Sequence, residues 1–137
     1  MPERAYAPPG WPDHVRPPGA PDWEASAVAY LFDCCPADFR RYRVLHRHGT
    51  VLARFAVVFV DAQQEAAERG LAEIRTILRG RVDPHVVAEA VDAWSEQAAR
   101  LIRTRRAVGL VEEALLGRVF VPRMADGGAQ RGHRRGG

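Results

Sequence analysis

The sequence predicts an all-α protein: a long antiparallel helical hairpin with a shorter N-terminal helix packed on it, a Pro-rich N-terminal arm and a disordered C-terminal tail. Three observations carry that expectation. Two long segments, Thr50 to Arg79 and Pro84 to Leu116, repeat apolar residues at helical spacing. Only Gly80-Arg81-Val82-Asp83 separates them, and so short a link folds one helix back on the other, because helix connections in bundles run about 2–8 residues. Before them lies a segment too rich in proline to be helical, with Pro2, Pro8, Pro9, Pro12, Pro17, Pro18 and Pro21 all in residues 1–21. The expected organisation is an extended arm over 1–21, a helical domain over 22–123 and a tail over 124–137, consistent with one domain in a chain of 137 residues.

The elements follow in order. Tyr6 and Trp11 give the arm two aromatic anchors to the domain surface; a polyproline segment offered to a partner is the rival reading. Asp22 is an expected N-cap for a first helix, Trp23 to Cys34, with Glu24 in its first turn and Pro36 beyond its end. Its packing face is Trp23, Ala27, Tyr30, Leu31 and Cys34. A turn or short helix over Ala37 to Tyr42 leads to a basic link, Arg43 to Gly49.

In the second helix, Leu52, Phe55, Phe59, Ala62, Ala66, Gly70, Ile74 and Ile77 recur at three and four residues as one stripe. Val57, Val58 and Val60 point elsewhere, so this end is covered on several sides or lies in an interface. The β-branched content of Thr50 to Val60 also suits a strand, but the unbroken run into Asp61-Ala-Gln-Gln-Glu favours a helix. The third helix has Asp83 as N-cap, Pro84 at its first position and Gly117 as C-cap. Its stripe is Val87, Val91, Trp94, Ala98, Leu101, Val108 and Leu115. Arg105 and Glu112 interrupt that stripe as a candidate buried polar pair, where each charge needs a partner. Either they pair across the hairpin with residues such as Glu73 or Arg69 and fix its register, or they line a polar groove for a ligand; the first is the more routine use of such charges. Arg118-Val-Phe-Val-Pro then reads as a short extended return over the hairpin.

Charge is unevenly placed. All 20 basic residues are Arg, with no Lys and no Asn, as GC-rich bacterial coding would give; arginine richness is thus weak evidence for phosphate binding. Phe39 to Val60 holds five Arg and no acid, Asp61 to Glu96 eight acids against four Arg, and Gln97 to Gly137 nine Arg against three acids. Such blocks shape partners and solubility rather than fold. The two cysteines, Cys34 and Cys35, are adjacent and ill placed to bridge each other, and nothing argues for an oxidising compartment. The first residues carry acids and prolines where a secretory leader has a basic start and an apolar run, and no stretch approaches the roughly 18 uninterrupted apolar residues of a membrane span. The expected location is the cytoplasm.

Candidate chemistry is sparse. Cys34, Cys35, His46 and His48 are the one soft-ligand cluster, but zinc sites draw on ligand pairs two to four residues apart, and neighbours on a helix point about 100° apart. Core and surface roles suit these residues better than metal binding, and no metal or cofactor is expected. A nucleophilic cysteine needs a thiolate held by a histidine; the spacing does not require one, and GxSxG, HExxH and P-loop patterns do not occur. The stretch Phe39-Arg-Arg-Tyr-Arg-Val-Leu-His-Arg-His mixes arginines with aromatics as nucleic-acid surfaces do. Arg40, Arg41, Tyr42, Arg43, Arg47 and Arg54 are its candidate basic binding surface, with the Arg131-Gly-His-Arg-Arg tail as a cationic supplement. A solvated basic face that meets an acidic protein, or the acidic half of another copy, competes with that reading.

Pro-Pro-Gly-Ala-Pro-Asp-Trp-Glu (residues 17–24) and Arg-Arg-Ala-Val-Gly-Leu-Val-Glu-Glu-Ala-Leu (residues 105–115) resemble motifs of small, uncharacterised actinobacterial proteins. The resemblance spans most of residues 9–123; it implies a bacterial, cytoplasmic protein and no activity. The leading expectation is a non-enzymatic interaction protein that pairs into a four-helix-like homodimer. Its candidate interface is Phe55, Val57, Val58, Phe59, Val60, Val108, Val111 and Leu115. The alternative is a nucleic-acid- or ribonucleoprotein-associated factor using residues 39–54 and the tail.

Overall fold

The structure, a computed structural model, describes residues 6–122, so the tail expected over 124–137 lies outside the described residues. In chain order it comprises α1 (Trp23–Asp33), a 3-10 segment (Ala37–Arg41), the short α2 (Arg43–Arg47), and the long helices α3 (Gly49–Leu78) and α4 (Pro84–Leu115). No strand occurs among the described residues, so the helical reading of Thr50 to Val60 holds. The basic link is not a loop: α2 turns within it and inserts Leu45 into the core.

The hairpin of α3 and α4 is the frame, and α1 and α2 pack against α3 at the end remote from the hairpin turn. Gly80, at φ 76°, makes the turn possible, and the Arg81 side chain donates from Nε to the Ile77 carbonyl at 3.0 Å, satisfying a helix-end acceptor. Asp83 has the extended backbone of an N-cap, but its side chain makes no capping hydrogen bond. Gly117 closes α4 at φ 101° in a Schellman arrangement, with Gly117 N–H donating to the Ala114 carbonyl and Arg118 N–H to that of Glu113.

Asp22 departs from expectation. It sits before α1 at φ 64°, in the left-handed region, and its side chain makes no cap. The Ser26 hydroxyl instead donates to the Trp23 carbonyl and accepts the Arg16 N–H, tying the arm to the start of α1. The arm itself is a succession of tight turns rather than an extended strand, since Trp11, Val15 and Ala20 each donate to the carbonyl of a proline three residues back. It is docked: Val15 is buried, the Trp11 indole N–H donates to the Val15 carbonyl, Arg106 donates to the Pro9 carbonyl, and Trp11 meets both Trp23 and Phe120. The C-terminal segment therefore returns onto the arm through Phe120, while Val119 and Val121 stay exposed.

The core lies wholly at this end. Ala27, Leu31, Phe32, Leu45, Leu52, Ala53, Ala56, Val57, Val60, Val108 and Val111 meet there, and Ala67 and Leu101 are its last buried members toward the turn. From residue 68 to residue 100 no side chain is fully buried. That distal part of the hairpin is an arm of two helices joined along a half-buried seam of Leu71, Ile74 and Leu78 against Val87, Val91, Trp94 and Ala98.

The expected α4 stripe lies toward α3, where Ala107, Val111 and Ala114 are buried as well, whereas the expected α3 stripe is inward only in part: Leu52 is buried, Gly70 lies against Trp94 and Ile74 is half-buried. The α4-facing side of α3 is Ala53, Ala56, Val57, Val60, Ala67, Leu71, Ile74 and Leu78, whereas Phe55, Ala62, Ala66 and Ile77 are exposed. Both sets recur at three and four residues, and periodicity alone does not say which faces the neighbour. The difference is in residue type: the inward set is continuous aliphatic, while the outward set is bulky at its ends and small between them.

Candidate interaction surfaces

The 3-10 segment and α2 hold the basic residues on the outer side of the core. Arg40 is engaged, bonding the Asp33 carboxylate at 2.8 Å with its guanidinium 5.6 Å from the Phe32 ring centroid. His46 donates from Nε2 to the Arg40 carbonyl at 2.5 Å and lies against the Phe32 ring. Arg41, Tyr42, Arg43 and Arg47 are exposed, and the three arginines form no ion pair among the described residues.

Phe39 links this basic surface to α3. Its ring centroid lies 5.9 Å from Phe55, 6.2 Å from Phe59 and 6.3 Å from Tyr42, each nearly edge-to-face. Beside it runs an open groove of about 410 Å³ lined by Phe39, Arg54, Phe55, Val58, Phe59 and Ala62. Phe55 is 43% and Val58 60% exposed. Apolar side chains so placed, with Arg54 among the lining residues, are the arrangement by which a helix or an apolar knob is received.

The expected interface thus divides. Phe55, Val58 and Phe59 lie on this accessible surface, and Leu115 is half-buried against the core. Val57, Val60, Val108 and Val111 are buried within the chain and form the α3/α4 seam, so they are not available to a second molecule. Phe39, the residue that joins the two candidate surfaces, was absent from both expected sets; its position depends on the 3-10 turn, which sequence spacing does not specify.

Arg105 and Glu112 are not a buried pair, and no charged residue among those described is buried. Each crosses the hairpin at the seam edge: Arg105 to Asp61 at 2.6 Å and Glu112 to Arg54 at 3.0 Å. The partners are therefore Asp61 and Arg54 in place of Glu73 or Arg69. Arg54 precedes Asp61 by the same seven residues that separate Arg105 from Glu112, and the two pairs have opposite polarity. A slip of one heptad would set Arg54 against Arg105, or Asp61 against Glu112. The two pairs consequently favour one antiparallel register over its nearest alternatives.

The thiols are poor nucleophiles here. Cys35 is buried, and burial followed by the neighbouring Cys34 pushes its pKa from 9.0 to about 11, against an opposing pull from Arg40. Burial also raises that of the half-buried Cys34, whose thiol contacts Tyr30. A reactive thiolate needs the opposite shift. Among the described residues no three His, Cys, Asp or Glu side chains group as a metal site, and no helix is long and apolar enough to cross a membrane.

Comparison with known proteins returns no matching family model, no similar curated protein and no similar solved structure.

Proposed function

We propose that the chain is a non-enzymatic, cytoplasmic interaction protein that works through protein–protein contacts as a homodimer. The observation that carries this reading is the uncovered apolar surface on α3, where Phe55, Val58 and Phe59 open into a groove with Phe39 at one wall. A monomer that leaves such a groove bare beside a distal arm without a buried side chain has apolar surface to cover on association. Light scattering at low and high salt tests it. The expected result is a dimer mass that persists at high salt, because apolar association is strengthened rather than screened by salt.

Nucleic-acid association is the second reading. Arg41, Arg43 and Arg47, exposed and without ion pairs among the described residues beside exposed Tyr42, are the observation that favours it. The same experiment separates the two. A monomer that carries nucleic acid at low salt, seen as a raised ratio of absorbance at 260 to 280 nm, and sheds it at high salt would replace the homodimer reading.

A further inference from the structure

The N-terminal arm and the segment after α4 meet beside the start of α1, and between them lies an open cleft of about 550 Å³ whose walls include Tyr6, Pro18, Trp23, Phe120 and Pro122. It is larger than the groove on α3 and shares no lining residue with it. Its size falls within the roughly 300–1,000 Å³ usual for binding clefts.

The walls are braced. The Trp11 indole N–H donates to the Val15 carbonyl at 2.9 Å, and the ring it fixes meets two that line the cleft, Trp23 at 6.3 Å and Phe120 at 6.1 Å. Arg118, the one charged residue of the lining, lies with its guanidinium 4.8 Å from the Phe120 ring centroid and is paired with Glu113. The cleft therefore presents aromatic surface and no unpaired charge.

It also presents free hydrogen-bond donors. Among the described residues the Trp23 indole N–H has no acceptor, unlike that of Trp11, and the backbone N–H groups of Val119, Phe120 and Val121 have none. Along that segment Phe120 is half-buried while Val119 and Val121 are exposed, the alternation of an extended chain, held by one ring with its main chain open.

Donors set between aromatic rings suit a ligand with accessible carbonyls, compact apolar rings and no charge. A polyproline helix has these properties: proline carries no amide hydrogen, its carbonyls are fully solvated before binding, its rings pack on aromatic side chains, and its backbone is already ordered. We propose that this cleft binds a proline-rich segment of a partner protein, with proline rings between Tyr6, Trp23 and Phe120 and carbonyls accepting from the Trp23 indole and the backbone of Val119 to Val121. The cleft is apart from the α3 groove, so the inference goes beyond the homodimer reading and stands or falls without it.

Titration of the full chain with decaproline, followed by calorimetry, tests the proposal. One peptide per chain should bind saturably, and a decamer of alternating Gly and Ser should not. Trp23→Phe keeps a ring and removes the donor, and should weaken binding about fivefold, the worth of one net hydrogen bond. Phe120→Ala should weaken it about thirtyfold, as loss of an aromatic anchor does, and Phe55→Ala in the α3 groove should leave it unchanged. Equal binding of the Gly-Ser decamer, or tighter binding of an alternating Thr-Val decamer, would mean that the cleft reads an extended backbone and would overturn the proposal. So would the absence of decaproline binding, or binding lost in Phe55→Ala and kept in Phe120→Ala.

Nuclear magnetic resonance of the unmodified chain keeps the test valid where a variant does not fold. On adding decaproline the indole N–H signal of Trp23 and the amide signals of Val119 and Val121 should shift, while the indole signal of Trp94, in the distal hairpin, stays in place. A shift at Trp94 without one at Trp23 would place the peptide elsewhere and sink the proposal.

Discussion

The two halves of the hairpin share the same helices and the same seam, yet they differ in what surrounds them. At the proximal end α1, α2 and the N-terminal arm cover the seam and bury Leu31, Leu45, Leu52, Val57, Val60, Val108 and Val111. Beyond Ala67 and Leu101 no further described element covers it, and the seam continues half-exposed to the turn. Helical hydrogen bonds are local, so α3 and α4 extend past their core once nucleated there. Folding stability is therefore concentrated in one half, while the other projects surface that the fold does not need for its own core.

The largest effect should expose that division. Leu52→Ala deletes a fully buried side chain and is expected to cost about 2–5 kcal/mol, whereas Ile74→Ala, on the half-buried distal seam, should cost about 1 kcal/mol. Urea denaturation of the two variants gives the comparison. Equal losses would mean that the distal seam is as deeply covered in solution as the core, which only association could achieve, and the cost of Ile74→Ala would then depend on protein concentration.

The seam-edge charges test whether both halves are held in one register. Glu112→Arg sets two arginines together and should destabilise the chain by about 1 kcal/mol, a modest figure because Arg54 is largely exposed even though the Glu112 side chain is only 16% exposed. Adding Arg54→Glu should recover most of that loss. The coupling in the double-mutant cycle measures the pair itself; a coupling of zero would remove these residues from the account of register.

Much of the hairpin was legible in the sequence because its signals are local. The link at Gly80, Pro84 at the head of α4 and Gly117 past its end each impose or permit a particular backbone geometry. The packing of α3 was less legible: Phe55, Phe59, Ala62 and Ala66 recur as regularly as Ala53, Val57, Val60 and Ala67, and only the neighbouring helix distinguishes them. For the same reason Val57 and Val60 were expected at an interface and lie in the core. Glu112 and Arg105 were recognised as needing partners, but the identity of those partners depends on the hairpin register, which a seven-residue spacing narrows without selecting. Asp22 shows a further limit. Its residue type suits an N-cap, yet the arm turning back through Ser26 places its backbone in the left-handed region instead.

A smaller effect is expected at Gly70, where α3 packs directly on Trp94 of α4. A Cβ there would fall within the Trp94 indole, so Gly70→Ala must displace the ring. Alanine's helix preference over glycine, about 1 kcal/mol, offsets part of the loss, leaving a net change below about 1 kcal/mol. Tryptophan emission should shift to the red as Trp94 becomes wetter. No shift would mean that the arm's helices separate easily enough to accept the methyl, a still sharper contrast with the proximal half.

The smallest effect at neutral pH concerns the thiols, which report on the proximal half alone. Because the folded pKa of Cys35 is raised from 9.0 to about 11, both folded and unfolded thiols are protonated below about pH 9 and contribute no pH dependence there. Between pH 9 and 11 the unfolded thiol ionises first, so stability falls as pH rises; Cys34, shifted in the same direction, adds to the loss. At pH 8 a disulfide-exchange reagent should therefore label Cys35 only through opening of the core. Leu52→Ala should accelerate that labelling in proportion to the stability lost, and Ile74→Ala should leave it nearly unchanged if the arm opens without the core. Equal acceleration by both variants would show that arm and core unfold as one cooperative unit, and the distinction between the two halves would then be one of coverage without a difference in local stability.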